Sequence, residues 1–238
     1  MSQPVYFEDL GFQSYRQVWD YQETLLLQNT RLKTEGQAAS TRHHLLLVEH
    51  PPVYTLGKSG KPEHLIWSEE ERKKRNIEFF HINRGGDITF HGPGQIVGYP
   101  ILDLEKMKPD LGWYLRSLEE VIILTLADYG ISGGRSKGET GVWLDAGITG
   151  KERKICAMGI KCSRWITMHG FAFNVQTDLD YFNGIVPCGI QNKQVTSLQK
   201  ELSSPVSMAE VKERLCKNFE TIFACQLLQE VKVNSVCS

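Results

Sequence analysis

Apolar positions along this chain recur with two periods, and the switches between them mark the elements. From Ser14 to about Leu32 they fall at three- and four-residue intervals. Ser14 with Gln17 three positions on predicts a helix opening on a capping box. The run Leu45–Glu49 reads as a buried strand, Pro51-Pro52 as a stop, and Val53–Leu56 as a resumed strand. "SEEERKKRN" predicts a short solvated helix, and "IEFFHINR" a strand that runs into a glycine-rich loop containing the short strand Ile88–His91. "QIVGYPILDL" is a further strand, kinked at Gly98 and Pro100. Asp110–Tyr129 carries the clearest helical spacing, with Leu111, Leu115, Leu118, Ile122 and Leu126 on one face and Gly130 as the stop. "TGVWLD", "KICAMGIKCS" and "WITMHGFAFNV" predict three successive strands. Ser207 with Glu210 opens a last helix that buries Val211, Leu215, Phe219, Ile222 and Phe223. Strand runs flanked by helices, without regular βαβ alternation, predict an α+β fold with mixed or mainly antiparallel sheets.

The 238 residues suffice for a sizeable core, and no repeat, low-complexity tract or linker divides them, so residues 1–238 are expected to form a single domain. Hydrophobic residues make up 41% and charged residues 23%, as in ordinary globular proteins. A net charge of −1 gives no global field to draw nucleic acid or an anionic membrane. One local exception is "RKICAMGIKCSR", where Arg153, Lys154, Lys161 and Arg164 stand without an acid and suit an acidic partner. No apolar run approaches the ~20 residues of a membrane helix. The N-terminus lacks a signal core, so the expected location is the cytoplasm. Cysteines at 156, 162, 188, 216, 225 and 237 are too sparse for a disulfide framework and are expected to be reduced thiols.

Candidate chemistry gathers in a few places. "NRGGDITFHGPGQIVGYP" sets Arg84, Asp87, Thr89, His91 and Gln95 among five glycines and two prolines. Glycine lets main chain approach a ligand closely, although two tight turns around a strand would read the same way. Cys188, between Pro187 and Gly189, suits an exposed nucleophile on a turn; a buried structural thiol is the plain alternative. Lys154 or Lys161 can stabilise a thiolate and move protons, and residue type favours neither. His91 or His169 can pair with Cys188. Arg84 can hold an anion or pair with Asp87. A zinc set of Cys156, Cys162, Cys188 and His169 has irregular spacing and no CxxC, so no metal is expected. Neither the P-loop nor the dinucleotide fingerprint occurs, and no cofactor is expected.

Taken together, "EHPPVYTLGK", "RGGDITFHGPGQIVGYP", "TGVWLD", "KICAMGIK", "HGFAFNV", "DLDYFNGIVPCGI" and "VTSLQKEL" resemble, in order, the blocks of the lipoyl(octanoyl) transferase family of lipoate biosynthesis, over roughly Leu45 to Leu202. The resemblance implies a single catalytic domain folded like those of biotin and lipoate protein ligases. It implies transfer of an octanoyl group from octanoyl-acyl carrier protein to a lysine of lipoyl domains, those of 2-oxo-acid dehydrogenase E2 subunits and the glycine cleavage H protein. The intermediate would be an acyl-cysteine thioester. The implied nucleophile is Cys188 and its partner Lys154, not Lys161. The implied substrate-binding residues are Arg84, Gly85, Gly86, Asp87, Ile88, Thr89, Phe90 and His91, then Ala157, Met158 and Gly159, then Gly170, Phe171 and Ala172. Strand alternation then puts Ile88 and Phe90 on an acyl slot, with Asp87 and Thr89 facing away. The competing reading is an ATP-dependent lipoate or biotin ligase, which needs no cysteine nucleophile. A third is a carrier-protein binding module that docks an acidic partner on the basic strand.

Overall fold

The structure is a computed structural model, and it describes residues 2–186 and 194–229. Among these residues the strands are β1 (Gln3–Phe12), β2 (His43–Glu49), β3 (Val53–Leu56), β4 (Glu78–His81), β5 (Ile88–His91), β6 (Gln95–Ile101), β7 (Val142–Leu144), β8 (Arg153–Ser163), β9 (Ile166–Asn174), β10 (Gln194–Val195) and β11 (Cys225–Gln229). The helices are α1 (Tyr15–Thr34), α2 (Glu69–Lys74), α3 (Leu111–Ala127), α4 (Leu198–Leu202) and α5 (Met208–Phe223). The large sheet runs β10-β8-β9-β6-β2-β1-β11, with β7 also on β8; a small sheet runs β4-β3-β5. Pairing is parallel for β1 with β2 and β11, β3 with β4, and β8 with β10, and antiparallel elsewhere. The α+β expectation with mixed sheets holds. Among the described residues no helix is long and apolar enough to cross a membrane.

The apolar run of β2 is continuous because both faces of the large sheet are covered. Leu45 and Leu47 point into one core with α3 and α5, built on Leu118, Ile122, Leu215 and Phe219. Leu46 and Val48 point the other way, against Val18, Leu25 and Leu26 of α1. The Ser14 hydroxyl caps α1 by accepting from the Gln17 amide, and Ser68 with Glu71 completes a capping box on α2. The last turn of α1 is pinned by Lys33 Nζ, which donates to Asp103 at 2.5 Å and Glu105 at 2.9 Å.

Two strands lie outside the expected elements, and one expectation needs correction. The terminal strands β1 and β11 carried no visible strand signal. Of β1 only Val5 and Glu8 are buried, because one neighbour is the short β11 and most of its side chains stay half wet. On α3 the buried stripe is rotated: Tyr114, Leu118, Val121, Ile122 and Leu126 are in the core, while Leu111 is 38% exposed. The helix packs on the sheet and on α5 together, so its apolar arc is broader than one line of five residues. Leu118→Ala should therefore cost about 2–5 kcal/mol in urea unfolding. Leu111→Ala should stay within about 0.5 kcal/mol. Equal losses would restore the original stripe.

Candidate active site

Where the small sheet folds over the large one lies a cavity of about 470 Å³. Its walls come from both sheets, from Tyr15 of α1, Leu115 of α3, and the segment Gly138–Thr140. Burial along the wall is uneven. Gly86 and Gly138 are exposed and Lys154 half-buried where the cavity opens, whereas Tyr15, Arg84, His91, Tyr99 and His169 at its buried end are 7% exposed or less. Glu119, fully buried on α3, supports the open end: its carboxylate accepts from the Gly141 amide and from Arg116 and Arg135.

The loop Arg84–Asp87 ties the two sheets together. Its carbonyls accept from the Gly57, Lys58 and Ser59 amides after β3, and the Gly85 amide donates to Ile160 O on β8 at 2.8 Å. Gly86 sits at φ +89, a region L side chains avoid. A Cβ on Gly159 would lie 2.7 Å from Gly85 O, so the loop meets β8 only through glycine. The Arg84 guanidinium does not pair with Asp87; it donates to Thr55 O at 2.8 Å, Thr55 Oγ1 at 3.0 Å and Gly85 O at 3.0 Å. Asp87 instead accepts from His64 Nδ1 at 2.5 Å.

The expected facing of β5 holds for Ile88 alone. Asp87, Thr89 and His91 line the cavity together with Ile88, but Phe90 does not. Phe90 stacks on Tyr181 at 4.7 Å and meets Tyr54 and Phe182 edge-on. The cluster behind the strand, with Tyr54, Ile77 and Ile185, is the drier side, and the larger apolar ring goes there.

The other residues singled out in the sequence converge. Ala157, Met158, Gly159, Gly170, Phe171 and Ala172 all line the cavity. Lys154 lines it too, with Nζ 4.5 Å from the Trp143 ring centroid. Lys161 is turned elsewhere and pairs with Glu23 at 2.9 Å, which distinguishes the two lysines. Cys188 lies outside the described residues. The chain after it enters the described part at Gln194 and Val195, which pair in register with Arg153 and Lys154. Cys156, in the zinc set, is buried in the core, where burial pushes its thiol well up.

At the buried end the hydrogen bonds fix the tautomers. His50 Nδ1 donates to Gln13 O, so its Nε2 accepts from Tyr99. Asn83 uses its amide nitrogen on Glu23, so His169 Nε2 donates to Asn83 Oδ1 at 3.1 Å. Burial lowers all three imidazoles of this region: His50 to about 4, His169 to about 3 with Arg84 adding to the shift, and His91 well below the usual range, with His50 and Arg84 adding. Tyr15, Tyr99 and Leu115 were not anticipated, because they read as ordinary core positions until the two sheets enclose a space beside them.

The family model of the lipoyl protein ligase A/B catalytic domain matches residues 14–220. The octanoyltransferase of Christiangramia forsetii is 54% identical over 95% of this chain and 99% of its own length. That of Flavobacterium psychrophilum is 52% identical, over 96% and 100%. The chain belongs to the octanoyltransferases of this family. Among solved structures, lipoate-protein ligase A bound with ATP superposes with a TM-score of 0.70 at 15% identity, over 97% of this chain and 89% of that one. A bipartite lipoate protein ligase from Thermoplasma acidophilum gives 0.69 at 16%, over 97% and 87%. At such identities these two speak for the fold, which is the one the octanoyltransferase resemblance implied for lipoate ligases.

The buried imidazoles carry a pH consequence. Their folded pKa values lie below the unfolded value of about 6.5, so the unfolded chain binds the extra protons. Stability should be lost as pH falls from about 6.5 toward the folded values of about 4 and about 3. His169→Gln should flatten the dependence of the urea midpoint on pH across this window. An unchanged slope would mean that His169 is charged in the folded protein.

Proposed function

We propose that this protein transfers an octanoyl group from octanoyl-acyl carrier protein to a lysine of lipoyl domains, through a thioester on Cys188, with Lys154 as proton carrier. The observation that carries the reading is the juxtaposition at the cavity's open end. Lys154 faces the cavity, and the first described residues after Cys188 are backbone-paired to the strand that bears it. Family membership supplies the octanoyl group, and lipoyl domains fit that membership as acceptors.

In the first half-reaction the Cys188 thiolate attacks the acyl carbonyl, the bond to the carrier's sulfur breaks, and the departing thiolate takes a proton from the Lys154 ammonium. A free thiol with pKa ~8.5 is mostly protonated at neutral pH, and a nearby cation favours the ionised form. In the second, the neutral amine of the acceptor lysine attacks the acyl-cysteine, Lys154 takes the surplus proton, and the Cys188 thiolate leaves. The net exchange is a thioester for an amide, which runs downhill without a nucleotide. The cavity accommodates the chain. Val97, Leu115, Met158 and Phe171 give it apolar wall, and its volume of about 470 Å³ lies within the ~300–1,000 Å³ of small-ligand sites.

Two measurements test this. Incubation with octanoyl-carrier protein in nucleotide-free buffer should add one octanoyl mass, mapped to Cys188, and Cys188→Ala should fold yet transfer nothing. An adduct on another cysteine would overturn the assignment of Cys188, and a requirement for free octanoate with ATP would favour the ligase reading. Second, Lys154→Ala should slow both half-reactions and shift iodoacetamide alkylation of Cys188 to higher pH, while Lys161→Ala, which cuts only the pair with Glu23, should leave the profile in place. The opposite pattern would reverse the assignment of the two lysines.

A further inference from the structure

A chain of buried hydrogen bonds runs beneath the cavity, all in one direction. Arg84 donates to Thr55 Oγ1 at 3.0 Å, and the Thr55 hydroxyl is left to donate to His91 Nε2 at 3.4 Å. His91 Nδ1 donates to Gln95 Oε1 at 2.9 Å. Gln95 Nε2 donates to Asn174 Oδ1 at 2.9 Å, and Asn174 Nδ2 to Thr196 O at 3.1 Å. The Thr196 amide then donates to Lys154 O at 3.0 Å. Two backbone carbonyls fix the sense. Gln95 Nε2 also donates to Phe90 O, and a carbonyl only accepts, so Oε1 must face His91. Thr196 O orients the Asn174 amide in the same way. Every side chain in the chain is 7% exposed or less.

The links cross element boundaries in turn. Thr55 and His91 belong to the small sheet, Gln95 and Asn174 to the large one, and Thr196 follows the strand paired with Lys154. We propose that Thr55, Gln95 and Asn174 are positioning residues for acyl transfer: their chain holds the glycine loop at one side of the cavity in register with the Lys154 strand at the other. The inference rests on the transfer reading above. An apolar filling of the same space would pack without fixing the offset between the sheets, whereas hydrogen bonds lose their partners when either sheet slides.

The test is steady-state octanoyl transfer with varied donor, together with thermal melting, for Thr55→Val, Thr55→Ser, Asn174→Leu and the Thr55→Val/Asn174→Leu double variant. Thr55→Val keeps the shape and removes the hydroxyl. It should lower kcat by about 10-fold or more, as small misplacements of reacting groups do, with KM for the donor little changed. Thr55→Ser should restore most of the rate. Thr55 and Asn174 share no hydrogen-bond partner, so their effects should multiply if each acts locally. If the chain acts as a unit, the double variant should be no slower than the slower single one. Asn174→Ala replaces Asn174→Leu should the latter fail to fold. Multiplying effects, a rise in KM at constant kcat, or no rescue by serine would overturn the inference while leaving an active wild type. A wild type that transfers nothing would overturn the transfer reading, and this inference with it.

Discussion

The space between the two sheets exists because the Arg84–Asp87 backbone is bonded on both sides at once. Three amides after β3 hold it from the small sheet, and Ile160 O holds Gly85 from the large one. Sheets that face each other without such a rung close by interdigitating side chains, leaving a core about 10 Å thick rather than a cavity. Here the rung sets the separation, and its own thinness leaves room for a ligand. A side chain at Gly159 would run into Gly85 O, and one at Gly86 would force an L residue into a left-handed backbone. The glycines are thus demanded twice, by the contact between loop and strand and by the turn that lets the loop reach it.

How much of this could be read beforehand depends on the range of the interaction. α2, with Ser68, Glu71 and its run of charges, is specified within a single turn, and it appears where the pattern puts it. β3 stops where Pro51-Pro52 and Gly57 bracket it. β1 and β11 escaped because they exist by pairing with each other across almost the whole chain, and neither is apolar enough to announce a strand alone. The face of β5 was misread for a related reason. Alternation says that Ile88 and Phe90 point one way, but not which side is dry; the aromatic cluster of Tyr54, Tyr181 and Phe182 behind the strand decides that. Lys154 and Lys161 lie on the same strand, with like charge and apolar neighbours, so residue type could not choose between them. Glu23, distant in sequence, removes Lys161 from contention by pairing with it.

The same distinction governs the chemistry of the walls. Arg84, His91, Gln95, Tyr99 and His169 are polar by composition, and their presence in a cavity suggests a polar ligand. Their partners say otherwise. Tyr99 donates to His50, His91 and Gln95 bond each other, and Arg84 is spent on Thr55 and Gly85. Desolvation keeps the imidazoles neutral, and the buried Arg84 cation pushes His91 and His169 in the same direction. What such residues have left to offer is ring face and methylene, with Nδ1 of His169 the acceptor that finds no partner. Polar side chains whose donors and acceptors are consumed among themselves make a wall that an alkyl group can meet without stripping water from unsatisfied groups. The sequence of a segment such as Arg84–His91 therefore reports the residues that hold a wall in place, and only the hydrogen-bond directions report what the wall will accept.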